Sequence, residues 1–294
     1  MSSDQAVVIW GEVLWDLFPD GMQLGGAPAN VAWHLGQAGG WARLASRVGD
    51  DEYGRGAVAR LDDVVDCSLV QFDRERSTGV VEVEIDNGEA RYTLVPGRAW
   101  ERIACTDEVV EAVEEAGVVV YGTLAQRTRE GFAEWRRAID ATRGMKVCDL
   151  NLRGGRVPEG DYATAVLEAV RAADVLKVNA RELDVLGTWQ GWRDPIAELR
   201  KRPRLIAVTH GAAGSTLHGE SGAIEVAGVH ARPGGDNVGC GDAYLAILVH
   251  GMTLGWDLAR SGRAASRWAA AVAECRGATP RFGEEQIVDL LELS

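Results

Sequence analysis

Five short apolar runs recur along this 294-residue chain: Ala6–Trp10 (AVVIW), Gly117–Gly122 (GVVVYG), Met145–Leu150 (MKVCDL), Asp174–Asn179 (DVLKVN) and Arg204–His210 (RLIAVTH). A run with no polar side offers no face to water, so each reads as a strand buried on both sides. Between several of them lie longer amphipathic stretches. In Arg129–Arg143, Phe132, Trp135 and Ile139 recur near helical spacing with the stem of Arg136 beside them, and Asp161–Ala173 reads as a second helix. This alternation specifies an α/β fold with a mainly parallel sheet covered by helices on both faces. Ligands of such sheets sit at the carboxyl ends of the strands, where Asp149–Arg153, Asn179–Glu182 and Thr209–Gly214 fall.

One segment breaks the pattern. Within Ser77–Gly97, Val81, Val83 and Ile85 alternate with Glu82, Glu84 and Asp86; Asp86-Asn87-Gly88 marks a turn, and Tyr92 and Leu94 begin a return strand. A half-polar hairpin of this kind predicts a small sheet standing apart from the main body.

Composition limits the partners. The net charge of −13 and a pI near 4.9 disfavour nucleic acid and anionic membranes, so a phosphate-bearing ligand must be held by local devices. Neither an N-terminal apolar segment of signal-peptide type nor an uninterrupted apolar run of about 18 residues occurs, from which a soluble cytoplasmic protein is expected. The five cysteines are scattered and contain no Cys-x-x-Cys pair, which indicates reduced thiols and neither a disulfide framework nor a zinc site.

The chemistry concentrates in Gly234–Ala246, GGDNVGCGDAYLA, which sets Asp242 behind a tight Gly239-Cys240-Gly241 turn at the mouth of an apolar helix. Backbone N–H groups at a helix N-terminus collect negative charge, the glycines let a phosphate approach closely, and the carboxylate can take a proton from a hydroxyl. Near the other end, Gly25–Gly54 carries Gly25-Gly26, Asn30 and the Gly49–Gly54 turn (GDDEYG). Together with "DLNLR" from Asp149, "VNARE" from Val178, "VTHGAAGS" from Val208 and "GATP" from Gly277, these segments resemble the ribokinase-like (PfkB) carbohydrate kinases over almost the whole chain. Gly11–Asp16 (GEVLWD), GGAPAN and DLNLR look most like the fructokinase branch.

The resemblance implies a ribokinase-like three-layer sandwich over residues 1–294, with about 11–25 and 77–97 forming a small β lid that closes over the sugar and can pair two copies as a homodimer. It implies ATP- and Mg²⁺-dependent transfer to a sugar hydroxymethyl group, with fructose first and ribose, 2-keto-3-deoxygluconate or a nucleoside as open alternatives. Asp242 takes the role of base, and the backbone of Gly239, Cys240 and Gly241 cradles the moving phosphoryl group. Asp16, Gly25, Gly26 and Asn30 face the sugar; Arg98 and Trp100 are expected to close the pocket because they follow the hairpin. Asn179, Arg153, Thr209, Gly211, Gly214 and Ser266 attend the nucleotide, and Glu182 organises Mg²⁺ through water. Many members also hold K⁺ near the loop of Asp236, which the residues here leave open.

Three positions depart from the family pattern. Asn237 stands where Thr is usual, Cys240 where Ala is usual, and Ser266, Arg267 and Trp268 where an Asn and small residues line the adenine pocket. Trp268 either reshapes the base site or faces the core. A dehydrogenase would need Gly-x-Gly-x-x-Gly after the first strand, which WGEVLWDL lacks. A catalytically silent sugar-binding member is the other alternative, and retention of Asp242, the glycine turn and Glu182 argues against it.

Overall fold

A computed structural model of the chain describes residues 6–18, 21–86, 89–152 and 157–292. In chain order the strands are β1 (Ala6–Trp10), β2 (Leu14–Phe18), β3 (Gly21–Gly25), β4 (Trp41–Gly49), β5 (Val70–Asp73), β6 (Gly79–Asp86), β7 (Glu89–Leu94), β8 (Val118–Tyr121), β9 (Met145–Asp149), β10 (Val175–Asn179), β11 (Leu205–Thr209), β12 (Gly214–Gly219) and β13 (Gly222–Ala227). The helices are α1 (Ala27–Gln37), α2 (Glu52–Leu61), α3 (Asp107–Glu115), α4 (Arg129–Ala141), α5 (Gly160–Ala172), α6 (Ala180–Gln190), α7 (Pro195–Leu199), α8 (Cys240–Thr253), α9 (Leu258–Ala273) and α10 (Glu284–Leu291).

Nine strands form one sheet in the order β13-β12-β11-β10-β9-β8-β1-β4-β5. It is parallel from β5 through β11 and antiparallel at β12 and β13. Alternate residues of each central strand enter opposite cores. Val7, Ile9, Val118, Val120, Leu205 and Ala207 pack with residues of α1, α8 and α9, whereas Val8, Trp10, Val119, Tyr121, Ile206 and Val208 pack with α3, α4 and α5. Each such apolar side chain contributes about 1.5–3 kcal/mol on full burial, which is why the strands read as unbroken apolar runs. The antiparallel pair at the edge is different: β13 alternates half-buried and exposed positions along most of its length, as an edge strand must.

The chain adds β4 and β5 to one side of β1, then crosses to build β8 to β11 on the other. The loops leaving the strands on either side of that crossing diverge, and the gap between them opens at the carboxyl ends. A second sheet, in the order β3-β2-β6-β7, contains the expected hairpin, whose turn residues Asn87 and Gly88 lie outside the described residues. Leu14 and Val81 form a small cluster on this sheet with Phe18 and Leu94, separate from the two main cores. Trp15 points the opposite way, is buried, and donates its Nε1–H to the carbonyl of Tyr53 at 2.9 Å, which ties the small sheet to α2.

The Gly49–Gly54 turn is the anchor of β6. Asp51 caps α2 by accepting from the Gly54 N–H at 2.8 Å, and it also accepts from the Thr78 N–H at 2.8 Å and the Thr78 hydroxyl at 2.6 Å. The same hydroxyl oxygen accepts from the Gly49 N–H at 2.9 Å, so the residue that precedes β6 is clamped to the end of β4. Burial works to raise the Asp51 pKa, but the bonds from Thr78 and Gly54 and the charge of Arg55 outweigh it and hold the carboxyl below its ordinary value. Thr78→Val removes one donor and one acceptor from this cluster. It is expected to cost about 1–3 kcal/mol in denaturant melts at neutral pH. A carboxyl with a lowered folded pKa stabilises above the ordinary carboxylate range and loses that contribution as pH falls through the folded pKa. The difference between wild type and variant therefore narrows in acid, and a difference independent of pH would contradict the assignment.

Candidate active site

A cavity of about 670 Å³ lies between the small sheet and the carboxyl ends of the large one. Its wall draws on separate stretches of sequence: Leu14 and Asp16 from β2, Gly26 and Asn30 at α1, Val81 and Leu94 from the hairpin, Asn179 and Glu182 at α6, and Gly239, Gly241 and Asp242 at α8. The small sheet gives an apolar side; the helix starts give a polar one.

The start of α8 is built for an anion. Its N-cap is Gly239, in the left-handed region at φ 76, and no side chain caps the helix. A Cβ on Gly239 would stand 2.6 Å from the Cβ of Ala278 and 2.7 Å from its Cα, so both conformation and space require glycine. First-turn N–H groups thereby meet the cavity without a competing side-chain acceptor, and the helix dipole adds positive potential there. Asp242, 9% exposed, is the third residue of this helix.

Asn30 reaches Asp242 from the other end of the chain, its Nδ2 donating to Asp242 Oδ2 at 2.8 Å. The Asn30 carbonyl oxygen is buried and has no protein donor. Asp16 lies across the backbone of Gly25, where a Cβ would stand 2.5 Å from its Oδ2, so Gly25 makes room for the carboxylate and does not itself line the cavity.

On the opposite side, α6 opens with a capping box. Asn179 Oδ1 accepts from the Glu182 N–H and Glu182 Oε2 accepts from the Asn179 N–H, both at 2.9 Å. The Asn179 side chain is thus occupied with the helix while the residue still lines the cavity. Glu182 is buried, and desolvation, reinforced by the charge of Asp149, raises its pKa against the pull of Lys177 and of N–H bonds from Asn179 and Leu152. A carboxylate held in this way has hard oxygen donors to offer, which suits a cation that takes the rest of its shell from phosphates and water.

Lys177 was not among the expected site residues, yet it lines the cavity from the middle of β10. Its ammonium lies 3.0 and 3.1 Å from the two oxygens of Asp149, directly across on β9. The signal was present in DVLKVN, where a lone cation interrupts an apolar strand. Asn151, Asn237 and Val238 also line the cavity, and Asn151 carries the only positive φ of a non-glycine residue among the described residues, at 39°.

Other expected residues sit elsewhere. Trp100 is turned wholly into the interior beneath Gly79, with the Arg127 guanidinium 4.7 Å from its ring, and neither it nor Arg98 lines the cavity. Indole burial outweighs exposure at a pocket mouth, so Trp100 supports the small sheet from below. Cys240 supplies backbone to the start of α8; burial, with Asp236 and Asp242 nearby, pushes its thiol up to about 11, and it stays protonated at neutral pH. Thr209 ends β11, Gly211 and Gly214 flank the short turn after it, and buried Ser266 lies on α9; none of the four is in the cavity wall. Arg153 lies outside the described residues.

The ambiguity at Trp268 resolves to the core. It is fully buried, packs edge-on against Phe282, and donates its Nε1–H to His34 Nδ1 at 3.1 Å. That fixes the tautomer: His34 Nε2–H donates to the Ala278 carbonyl at 2.8 Å, which joins α1 and α9 to the segment packed on Gly239. Burial lowers the His34 pKa to about 4, against the favourable Ala278 bond. A depressed histidine stabilises the fold above pH 6.5 and loses that contribution as pH falls toward 4. Over this window roughly 3 kcal/mol is expected to be lost. His34→Phe should flatten the dependence in fluorescence-monitored melts, and an unchanged slope would contradict it.

A family model for pfkB family carbohydrate kinases matches residues 20–283. The chain belongs to that family. Fructokinase-1 of Zea mays is 30% identical over 271 residues, spanning 83% of this chain and 82% of the relative. An uncharacterized sugar kinase of Pyrococcus horikoshii, solved in complex with ATP, superposes with a TM-score of 0.84 at 26% identity, covering 96% of this chain and 97% of that one. A fructokinase of Xylella fastidiosa with bound ATP shares the fold at a TM-score of 0.87 and 20% identity, covering 98% of both chains. This carbohydrate kinase therefore has the ribokinase-like α/β architecture that its sequence resembles. Among its described residues no helix is long and apolar enough to cross a membrane.

Proposed function

We propose that this kinase transfers the γ-phosphoryl group of Mg-ATP to a hydroxymethyl group of fructose. The observation that carries the reading is the Asn30–Asp242 pair in the cavity wall, which combines an oriented carboxylate with a buried carbonyl oxygen lacking a protein donor. A sugar is a polyol that donates several hydrogen bonds at once. One hydroxyl meets the Asn30 oxygen, others meet Asp16, and the reacting hydroxyl meets Asp242. The apolar side formed by Leu14, Val81 and Leu94 covers the ring and excludes water, which would otherwise compete as acceptor.

In the transfer, the hydroxymethyl oxygen forms a bond to the γ-phosphorus as its proton passes to Asp242. The bond from that phosphorus to the β–γ bridging oxygen breaks, and ADP leaves with the electron pair. The N–H groups of Gly239, Cys240 and Gly241 receive the charge on the moving group. Mg²⁺ beside Glu182 would neutralise phosphate charge as it develops. The nucleotide extends toward Thr209, Gly211, Gly214 and Ser266 in this reading. Two copies pair through the small sheet, and a monomer mass by light scattering at micromolar concentration would remove that part.

Fructose ranks first because the maize relative is named a fructokinase. ADP release with Mg-ATP against fructose, ribose, 2-keto-3-deoxygluconate and adenosine tests the ranking through kcat/KM. Fructose is expected to lead; a higher value for another acceptor would reassign the substrate while leaving phosphoryl transfer in place.

A further inference from the structure

Lys177 has a placement that stability does not explain. It occupies the centre of a buried strand, where an ion pair commonly contributes no more than apolar side chains of the same volume. Moreover, its ammonium is directed at the start of α8: a Cβ on Gly241 would stand 2.9 Å from Lys177 Nζ. A cation at a helix N-terminus opposes the helix dipole, and the arrangement becomes favourable when an anion sits between them. Asp149 holds the ammonium from behind with both oxygens. Nearby, Asp242 and Glu182 add to Asp149 in keeping Lys177 charged despite its burial. Both Lys177 and Gly241 line the cavity.

We propose that Lys177 is a catalytic residue that contacts the transferring phosphoryl group, with Asp149 as the positioning residue that aims it. This rests on the phosphoryl-transfer reading above and adds to it a cation at the moving phosphoryl group. As the bond to the β–γ bridging oxygen breaks and the bond from the acceptor oxygen forms, charge spreads over the equatorial oxygens of the γ-phosphoryl group. The ammonium and the α8 N–H groups meet that charge from two sides. Asp242 takes the acceptor proton, Lys177 keeps its own, and Asp149 fixes where the ammonium stands.

The test compares wild type, Lys177→Met and Asp149→Asn in full-length protein with Mg-ATP. Lys177→Met should lower kcat by about 10²–10³-fold with a nearly unchanged KM for the acceptor. It should also lose the tight binding of ADP–aluminium fluoride, a mimic of the planar phosphoryl group, while binding ADP alone as wild type does. A purely structural lysine would weaken both nucleotide states together. Asp149→Asn should shift the same two readouts in the same direction by less. Because Lys177→Met strands a buried carboxylate, Lys177→Met/Asp149→Leu serves as the second variant. It should melt near the wild-type temperature and remain as slow as Lys177→Met. Undiminished kcat in a folded Lys177 variant, or equal loss of ADP and ADP–aluminium fluoride, overturns the proposal. Wild-type protein inactive on every sugar would instead overturn the acceptor assignment, and the effect of Lys177→Met on ATP hydrolysis with water as acceptor would still decide the role of Lys177.

Discussion

Asp242→Asn is expected to lower kcat by about 10³–10⁴-fold while leaving acceptor binding close to wild type. The amide keeps the volume of the carboxyl and can still accept from Asn30 Nδ2, which stands 2.8 Å from Asp242 Oδ2. What it cannot do is take the proton of the attacking hydroxyl. The loss should therefore fall on turnover and leave binding intact, because the carboxylate is most needed as the acceptor oxygen becomes acidic in the transition state. Calorimetric titration with the sugar and steady-state kinetics on the same preparation separate the two. A folded variant that keeps turnover within about tenfold of wild type would remove Asp242 as the base.

Gly239→Val should abolish measurable turnover and destabilise the fold by about 3 kcal/mol or more. Two independent penalties add at this position. The backbone sits at φ 76, a region that a β-branched residue rarely enters, and the new side chain would collide with the backbone of Ala278. Relief requires the start of α8 to move, and displacing reacting groups by about 1 Å can cost roughly 10²-fold in rate. Ala278 also accepts from His34, so the shift would travel into the contact between α1 and α9. Thermal melting and ADP release on the purified variant check both halves. Wild-type turnover from Gly239→Val would mean that the α8 turn is not the phosphoryl cradle.

The main sheet was legible because its strands are buried on both faces, and continuous apolar runs such as Ala6–Trp10 have few other uses. β4, from Trp41 to Gly49, was not among the apolar runs, since Arg43 and Arg47 interrupt its apolar pattern. Those arginines pair with Asp66 and Asp73, partners no local pattern reveals. The antiparallel strands β12 and β13 lack the long apolar run that marked the others and were not anticipated. At the site, the family resemblance marked Asn30, Glu182 and Asp242, which line one cavity; Lys177 showed in the sequence only as a lone cation in an apolar strand, with nothing local to tie it to Asp149 on the neighbouring strand. Trp100 misled in the opposite sense: an aromatic residue after the hairpin suggested a pocket wall, but its fully buried ring packs beneath the small sheet. Sequence proximity to the pocket does not fix the direction of a side chain.

Phosphorus NMR of a reaction containing Mg-ATP and fructose, run with wild type and Asp242→Asn side by side, tests the central claim most directly. Growth of a sugar phosphomonoester resonance in step with ADP, with the variant slower by at least about 10³-fold, is the predicted result. ADP accompanied only by inorganic phosphate, or a phosphomonoester formed equally fast by the variant, would contradict it.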